Sequence, residues 1–456
     1  MGEMLLNNLK QYYGMKHFFV IALALLLLSA SVCADGMVVR PVNGEWHPYR
    51  ESSQRAIINY ENGYENLLLF VKTEGNPQTE KFVWIFPVPS KPEQIEITNL
   101  KGFPNFYGTE QKGQFKTNLM ILAGSNFVAA FPPVALLALV FIVSSPIGGP
   151  AYDATIGIKG RGYDIWKHID RFGIATEVVT AYDSERFYRF LAARGTNLSS
   201  DAKQRIDEYI GLDYSFIVSW ISNPEEYRNQ GSSTYYDEPI GVFVRFPTEQ
   251  MYYPMKMTGI YQDSYVPTTI DIINYREPEI YQNISKETTV GYYFSDRLQY
   301  GLNEEKSIRT VFNGTIPQQL RFTRISINTQ ARYFVQDLWI ANNASIAASA
   351  LEVINALWLL LAIIIFFALS FASVFLVNKI ILGNFLNRKR MALLAGSNFL
   401  TIFGFIVAVF LLRAKLSEKE RNRFRFLRAM AGFWAIFFGI AILFLIIAIL
   451  ATVAIK

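Results

Sequence analysis

Hydrophobic and polar positions alternate in two regimes along this chain. From residue 37 to about residue 334, short runs of β-branched and aromatic side chains are separated by polar turn signals, whereas from residue 353 onward long apolar stretches are broken only by basic clusters. In the first regime residues 56–60, 67–72 and 81–86 read as strands, with turns at Glu61-Asn62-Gly63 and Glu74-Gly75-Asn76-Pro77. The prolines of Pro87-Val88-Pro89-Ser90-Lys91-Pro92 have no N–H for a ladder, so this segment ends a strand at an edge or exit of its sheet. Two short helices are predicted over 183–211, started by Asp183 and Ser200 and closed by Gly195 and Gly211. Residues 222–239 read as a loop, and 240–334 return to strands.

The second regime predicts membrane helices. Residues 353–377 and 430–455 carry no charge and exceed the ~20 residues that a bilayer crossing requires. Within the latter, Ala435 and Gly439 have a small-x-x-x-small spacing suited to close helix packing, a spacing that chance also produces in an alanine-rich helix. Residues 391–412 form a third candidate, interrupted by Gly396, Ser397 and Asn398. Lys379, Arg388, Lys389 and Arg390 place the first connecting loop in the cytoplasm. The next loop holds Arg413, Lys415, Lys419, Arg421, Arg423, Arg425 and Arg428 against Glu418 and Glu420. Three full spans put it outside against the charge bias; a re-entrant middle segment keeps both basic loops inside, against anionic lipid.

One further apolar stretch, 119–143, interrupts the β region and is divided by Pro132-Pro133 into pieces too short to cross. It reads as a membrane-dipping hairpin, an apolar loop packed on the terminal helices, a partner-docking site or a buried core hairpin. Leu122-Ala123-Gly124-Ser125-Asn126-Phe127 recurs as Leu394-Ala395-Gly396-Ser397-Asn398-Phe399. This echo predicts the same kind of membrane-entry turn in both places, with the insert packed against the terminal helices.

At the other end, Lys16 and His17, the apolar run 18–28 and Val32-Cys33-Ala34 have the three parts of a secretory signal starting at Met15, with Asp35 the first mature residue. An uncleaved anchor is the other reading. Cleavage would remove the chain's one cysteine, leaving no disulfide and no thiolate ligand or nucleophile. The expected organisation is therefore a signal peptide over 1–34 (15–34 functional), an N-terminal β lobe over 35–117, the insert over 118–148, a second α/β lobe over 149–346, and a membrane domain of two or three helices over 347–456. The fold class is α+β, with a β-dominant, sandwich-like ectodomain carrying short helices, then a C-terminal transmembrane helical bundle. The net charge of +5 lies largely beside the apolar segments, where it reports orientation and not nucleic-acid binding.

Several motifs carry a resemblance. Asp35-Gly36-Met37, Glu51-Ser52-Ser53-Gln54-Arg55-Ala56, Trp84-Ile85-Phe86-Pro87-Val88-Pro89-Ser90, Phe190-Leu191-Ala192-Ala193-Arg194-Gly195, residues 209–216, Pro239-Ile240-Gly241-Val242-Phe243-Val244-Arg245-Phe246 and Tyr253-Pro254-Met255 are similar to domain-of-unknown-function family 2330, over residues 35–260. The resemblance implies an exported protein of bacterial or archaeal type, and a location more than an activity. Relatives carry cysteines near the mature start; this chain has none there.

Candidate chemistry is sparse. Asn-x-Ser/Thr sequons fall at Asn197, Asn283, Asn313 and Asn343, all in the region placed outside. His47 and His168 form no zinc pattern, Asp164 beside His168 reads as a surface contact, and no Gly-x-Ser-x-Gly elbow exposes a serine. Gly157-Ile158-Lys159-Gly160-Arg161-Gly162 lacks the Gly-Lys-Ser/Thr ending of a phosphate loop and reads as a hairpin turn. The acid pairs Glu225-Glu226 and Glu304-Glu305 read as solvated surface, and Glu352 as an interfacial residue. No cofactor, metal or enzymatic activity is expected. The 25 tyrosines point to binding through amphipathic contacts, unless they fill the core. The reading is a membrane-anchored cell-surface binding module, with an extracellular or periplasmic ectodomain and the lipid bilayer as partner. An accessory subunit of a membrane complex, docking or self-associating through 119–143 and the terminal helices, is the alternative; a membrane-bound hydrolase is third.

Overall fold

A computed structural model describes residues 36–49, 51–73, 82–129, 168–180, 183–230, 240–380, 387–397 and 423–454. The fold is mixed α and β with β dominant, and it divides into two units, one within 1–108 and 163–345, the other within 109–162 and 346–456. The strands are β1 Met37–Val42, β2 Glu45–Pro48, β3 Glu51–Glu61, β4 Tyr64–Thr73, β5 Val83–Val88, β6 Glu96–Lys101, β7 Thr109–Glu110, β8 His168–Arg171, β9 Ile174–Thr180, β10 Ser215–Ile221, β11 Ile240–Pro247, β12 Met251–Tyr253, β13 Thr268–Ile273, β14 Thr288–Ser295, β15 Leu320–Ile327 and β16 Leu338–Ile340.

In the first unit the smaller sheet runs β2-β1-β5-β10-β9-β8 and the larger runs β6-β11-β4-β3-β13-β15-β14. All of these pairings are antiparallel except β13 with β3. Tight hairpins close on Asn43-Gly44, Asn62-Gly63 and Phe172-Gly173, each with both residues at positive φ, the backbone that matches strand twist. The two lobes expected over 35–117 and 149–346 are one body. β5 of the first stretch lies between β1 and β10, and β4 of the first stretch lies between β3 and β11, so strands of both stretches share each sheet.

Consecutive strand residues point into different cores. Ala56, Ile58, Leu67, Leu69, Trp84, Phe86, Val242 and Ile270 fill the space between the sheets. Their neighbours Val83, Ile85, Phe216 and Val218 face outward from the smaller sheet, where the Ser184–Ala193 and Ser200–Asp207 helices cover them through Phe187, Leu191, Ala202 and Ile206. Ile57, Leu68, Phe243 and Phe322 face outward from the larger sheet and are covered by Ile308 and Val311 of the Leu302–Val311 helix. The sandwich is thus flanked by helix on both sides.

Local signals act largely as the sequence predicts, with three differences. Asp183 caps its helix by accepting from Arg186 N at 3.1 Å. The next helix is preceded by Ser199, with Ser200 its first residue, while Gly195 and Gly211 take positive φ. Pro87 lies two residues past the end of the β1–β5 ladder at Ile85, where β10 is the strand's neighbour among the described residues. Inside the expected 222–239 loop, Pro224–Gln230 is helical, its first turn held by Asn223 Oδ1, which accepts from the N–H of Glu225 and Glu226. Within the expected strand region 240–334, Leu302–Val311 is helical because Glu304 accepts from Gly301 N and Glu305 pairs with Arg309 one turn on.

The second unit is helical. Glu110 accepts from the backbone N–H of Lys112 and Gly113 and starts the Gln111–Ala129 helix. The first copy of the six-residue echo lies inside this helix, so it is not a turn there. Ser125 and Asn126 donate to Leu122 O at 3.0 and 2.8 Å and satisfy the helix from within. The second copy begins at the end of the Arg388–Ser397 helix, and its last two residues lie outside the described set. Gln111–Ala129 packs against the Ile346–Ala356 and Arg423–Ala454 helices, as expected for the described part of the insert. The apolar tail gives two helices long and apolar enough to cross a bilayer, Trp358–Leu376 and Ala435–Ala454, about 28 and 30 Å long. The first begins at Trp358 and not at 353, because the helix is interrupted at Leu357. The last extends back to Arg423, so Arg423, Arg425 and Arg428 are helical and not loop. The signal segment, Asp164, residues 157–162, 130–148 and 398–422 lie outside the described residues.

Because strands are buried on both faces, Ile57→Ala and Ile58→Ala, pointing into different cores, should each cost about 2–5 kcal/mol. Comparable drops in the unfolding midpoint of detergent-solubilised protein are expected. A half-exposed sheet would leave one of the two within about 0.5 kcal/mol of wild type.

Candidate functional site

Among the described residues of the first unit, polar and aromatic groups from several segments converge on Asp337. This residue immediately precedes β16, which pairs with β12, and the pairing brings Tyr252 and Trp339 opposite one another. Trp339 packs on the Tyr252 ring at 4.8 Å, and Tyr252 in turn meets Tyr214 at 6.0 Å. Tyr209 and Tyr214, in the turn after the Ser200–Asp207 helix, contact each other edge-on at 5.3 Å.

Asp337 collects the donors of three segments. Tyr209 OH donates to both carboxylate oxygens at 3.0 Å, Tyr252 OH to Oδ2 at 3.1 Å and Lys256 N to Oδ1 at 2.8 Å. Lys256 Nζ pairs with Glu208 at 2.8 Å, and Glu208 also meets Arg205 at 3.1 Å. Burial pushes the Asp337 carboxyl up to about 6, against the opposing pull of these hydrogen bonds and the Lys256 charge. Burial and then the Asp337 charge raise the Tyr209, Tyr252 and Tyr281 phenols, and move Tyr214 up to about 12. In the segments that supply the site, Trp339, Leu212, Tyr333 and Val335 are exposed. Tyr281 OH donates to Tyr333 O at 3.4 Å.

Chemically the acid is occupied as an acceptor and lies underneath. It fixes the buried phenols of Tyr209 and Tyr252, and Trp339, packed on Tyr252, is the aromatic side chain of this set that reaches the surface. Sequence reasoning did not find this site, because Tyr209, Tyr252 and Asp337 come from segments far apart. Two of the motifs quoted for the resemblance, 209–216 and Tyr253-Pro254-Met255, run beside it, a signal carried by position and not by chemistry.

The residues singled out from sequence are scattered. Asn197, Asn283, Asn313 and Asn343 are all exposed, and Asn313 holds its amide against Glu61 at 3.1 Å with positive φ. Ala435 and Gly439 are exposed, and nothing lies within 4 Å of a Cβ placed on Gly439. Helix packing uses other positions, with Phe437 and Ala441 buried against Phe366 and Leu369. His168 bonds Glu177 at 2.9 Å and His47 faces Glu45 at 3.7 Å. Among the described residues no group of three His, Cys, Asp or Glu side chains is arranged to hold a metal.

No protein-family model matches the chain, and no curated protein matches it. Among solved structures it is similar to baculovirus P35, at 8% identity, covering 65% of this chain and 98% of that chain with a TM-score of 0.24. The caspase-8/P35 complex gives 8% identity, 63% and 95% coverage, and a TM-score of 0.26. At that level neither likeness bears on fold or activity here.

The pH dependence follows from burial. Asp337 binds its proton more tightly in the folded chain, so its contribution is fully present below the ordinary value of 3.8 and is lost as pH rises to about 6. The lost stability is on the order of 3 kcal/mol. In Asp337→Asn, the fall in unfolding midpoint between pH 4 and pH 6 should be flatter than in wild type. Tyr209→Phe removes a bond that lowers the Asp337 value, so its fall should extend to pH above 6. Superimposable pH profiles for all three proteins would contradict this account.

Proposed function

We propose that this chain is a membrane-anchored cell-surface protein whose β-rich unit is a binding module displayed outside the cell. One observation carries the reading. Trp358–Leu376 and Ala435–Ala454 leave Leu360, Ile364, Phe371, Phe375, Leu443, Ile447, Leu450 and Val453 exposed. Water would charge roughly 25 cal/mol for each Å² of such surface, whereas hydrocarbon is as apolar as the side chains it would cover.

Orientation is supported by charge. Lys379, Arg388, Lys389 and Arg390 follow the first apolar helix, where the positive-inside rule sets the cytoplasm and so assigns the preceding β unit to the outside. The secretory signal pattern and the resemblance to family 2330 favour the same side. Binding as the activity is supported by the exposed aromatic side chains of Trp339 and Tyr333. Ala435 and Gly439 favour a second reading, an accessory subunit, since their exposure leaves a small-residue face for another helix.

The protein should stay with membranes through alkaline carbonate extraction and leave them only in detergent. With Cys33 replaced by serine, Glu185→Cys should react with an impermeant maleimide on intact cells and Asn387→Cys should not. Release by carbonate, or labelling in the reverse pattern, would sink the proposal; a stoichiometric companion in mild detergent would favour the accessory reading.

A further inference from the structure

The Ile346–Ala356 helix is apolar but has only 11 residues, about 16 Å, half a hydrocarbon core. It is not an independent piece. Leu357 N donates to Val353 O and Leu361 N to Leu357 O, both at 3.0 Å, so the backbone bonds run through the interruption into Trp358–Ile380.

Its two sides have different fates. On one, Ala348 is fully buried and Asn355 is held by the Gln111–Ala129 helix, donating to Gln111 O at 3.0 Å and Oε1 at 3.1 Å while accepting from Asn118 at 3.2 Å. On the other, Ile346 is 82% exposed, Val353 58%, Ile354 37% and Leu357 48%. Steps of seven, one and three residues put these on a single stripe, and further steps of four and three continue it to Leu361 and Ile364, which are also exposed. The upper stripe is therefore continuous with the face of the first apolar helix.

Length then fixes depth. Counting back from Lys379, whose ammonium belongs at a membrane boundary, the ~20 residues of a crossing are used up by about Leu360. Ile346–Ala356 lies beyond the hydrocarbon, yet keeps an exposed apolar side. We infer that this helix is an interfacial element whose Ile346-Val353-Ile354-Leu357 stripe is covered by the headgroup and upper acyl region of the bilayer. The inference rests on the membrane-anchored reading, and it requires the chain to bend at Leu357, where the helix is interrupted, from crossing to lying along the surface. Glu352, its one charged side chain, is compatible with headgroup depth and not with the core.

The test uses the full chain with Cys33 replaced by serine, in phosphatidylcholine–phosphatidylglycerol vesicles, with nitroxides at Ile346→Cys, Val353→Cys, Leu443→Cys and Glu185→Cys. Collision with oxygen, which concentrates in lipid, is compared with collision with a water-soluble nickel chelate. Leu443 should favour oxygen most, Glu185 nickel most, and positions 346 and 353 should fall between, with oxygen preference raised several-fold over Glu185. If 346 and 353 match Glu185 while Leu443 reads lipid, the stripe is in water and the inference fails. Low collision with both reagents at 346 and 353 means that protein covers the stripe, which also overturns it. If Leu443 itself reads water, the anchoring is wrong and the inference falls with it.

Discussion

Burial on both faces of both sheets is the constraint on which the first unit depends. A strand that alternates apolar and polar residues can leave one face wet, but Ile57-Ile58 and Leu67-Leu68-Leu69 offer no wet face. Such strands need three apolar spaces for two sheets. The middle one forms by sheet-on-sheet packing, and the outer two require helices supplied from between strands. This explains why the Ser184–Ala193 and Ser200–Asp207 helices sit between β9 and β10, and Leu302–Val311 between β14 and β15.

The inner space is not wholly apolar, and its polar members link segments that the sheets alone do not. Gln54 Oε1 accepts from Tyr253 OH and Thr268 Oγ1 at 2.8 and 2.7 Å, while its amide donates to Thr258. Asn99 of the larger sheet donates to Ile174 O and accepts from Thr176 of the smaller. Each bond is worth little net, but an orphaned partner at such depth costs about 1–3 kcal/mol, so these networks select one register among several the apolar pattern would tolerate.

Much of this was legible in the chain where the signal is local. Asn62-Gly63 specifies a hairpin by backbone twist, Asp183 a helix start by its carboxylate, and the terminal apolar runs their helices by length. What was not legible depends on distance. Nothing in 35–117 says that its strands interleave with those of 149–346, because β5 finds both β1 and β10 only through cores that do not exist until both halves meet. The Leu302–Val311 helix was hidden because the surrounding β-rich alternation outweighed a short capped segment. The six-residue echo misled for a different reason: Gly, Ser and Asn favour turns in water, but inside an apolar helix their side chains can return to the backbone of the preceding turn.

Tyr252 joins two buried acids, and that arrangement gives folding a chemical co-reactant. Its hydroxyl donates to Asp337, and its backbone N–H donates to Glu65 Oε2 at 2.6 Å, while Glu65 Oε1 meets no hydrogen-bonding partner. Fully buried, Glu65 is driven by desolvation well above the usual carboxylate range, against the pull of the Tyr252 backbone bond. In the unfolded chain near neutrality the same side chain is ionised. Closing the core around Tyr252 is therefore linked to proton binding by Glu65: the acidity of the aqueous compartment in which the chain folds acts as a ligand for the native state.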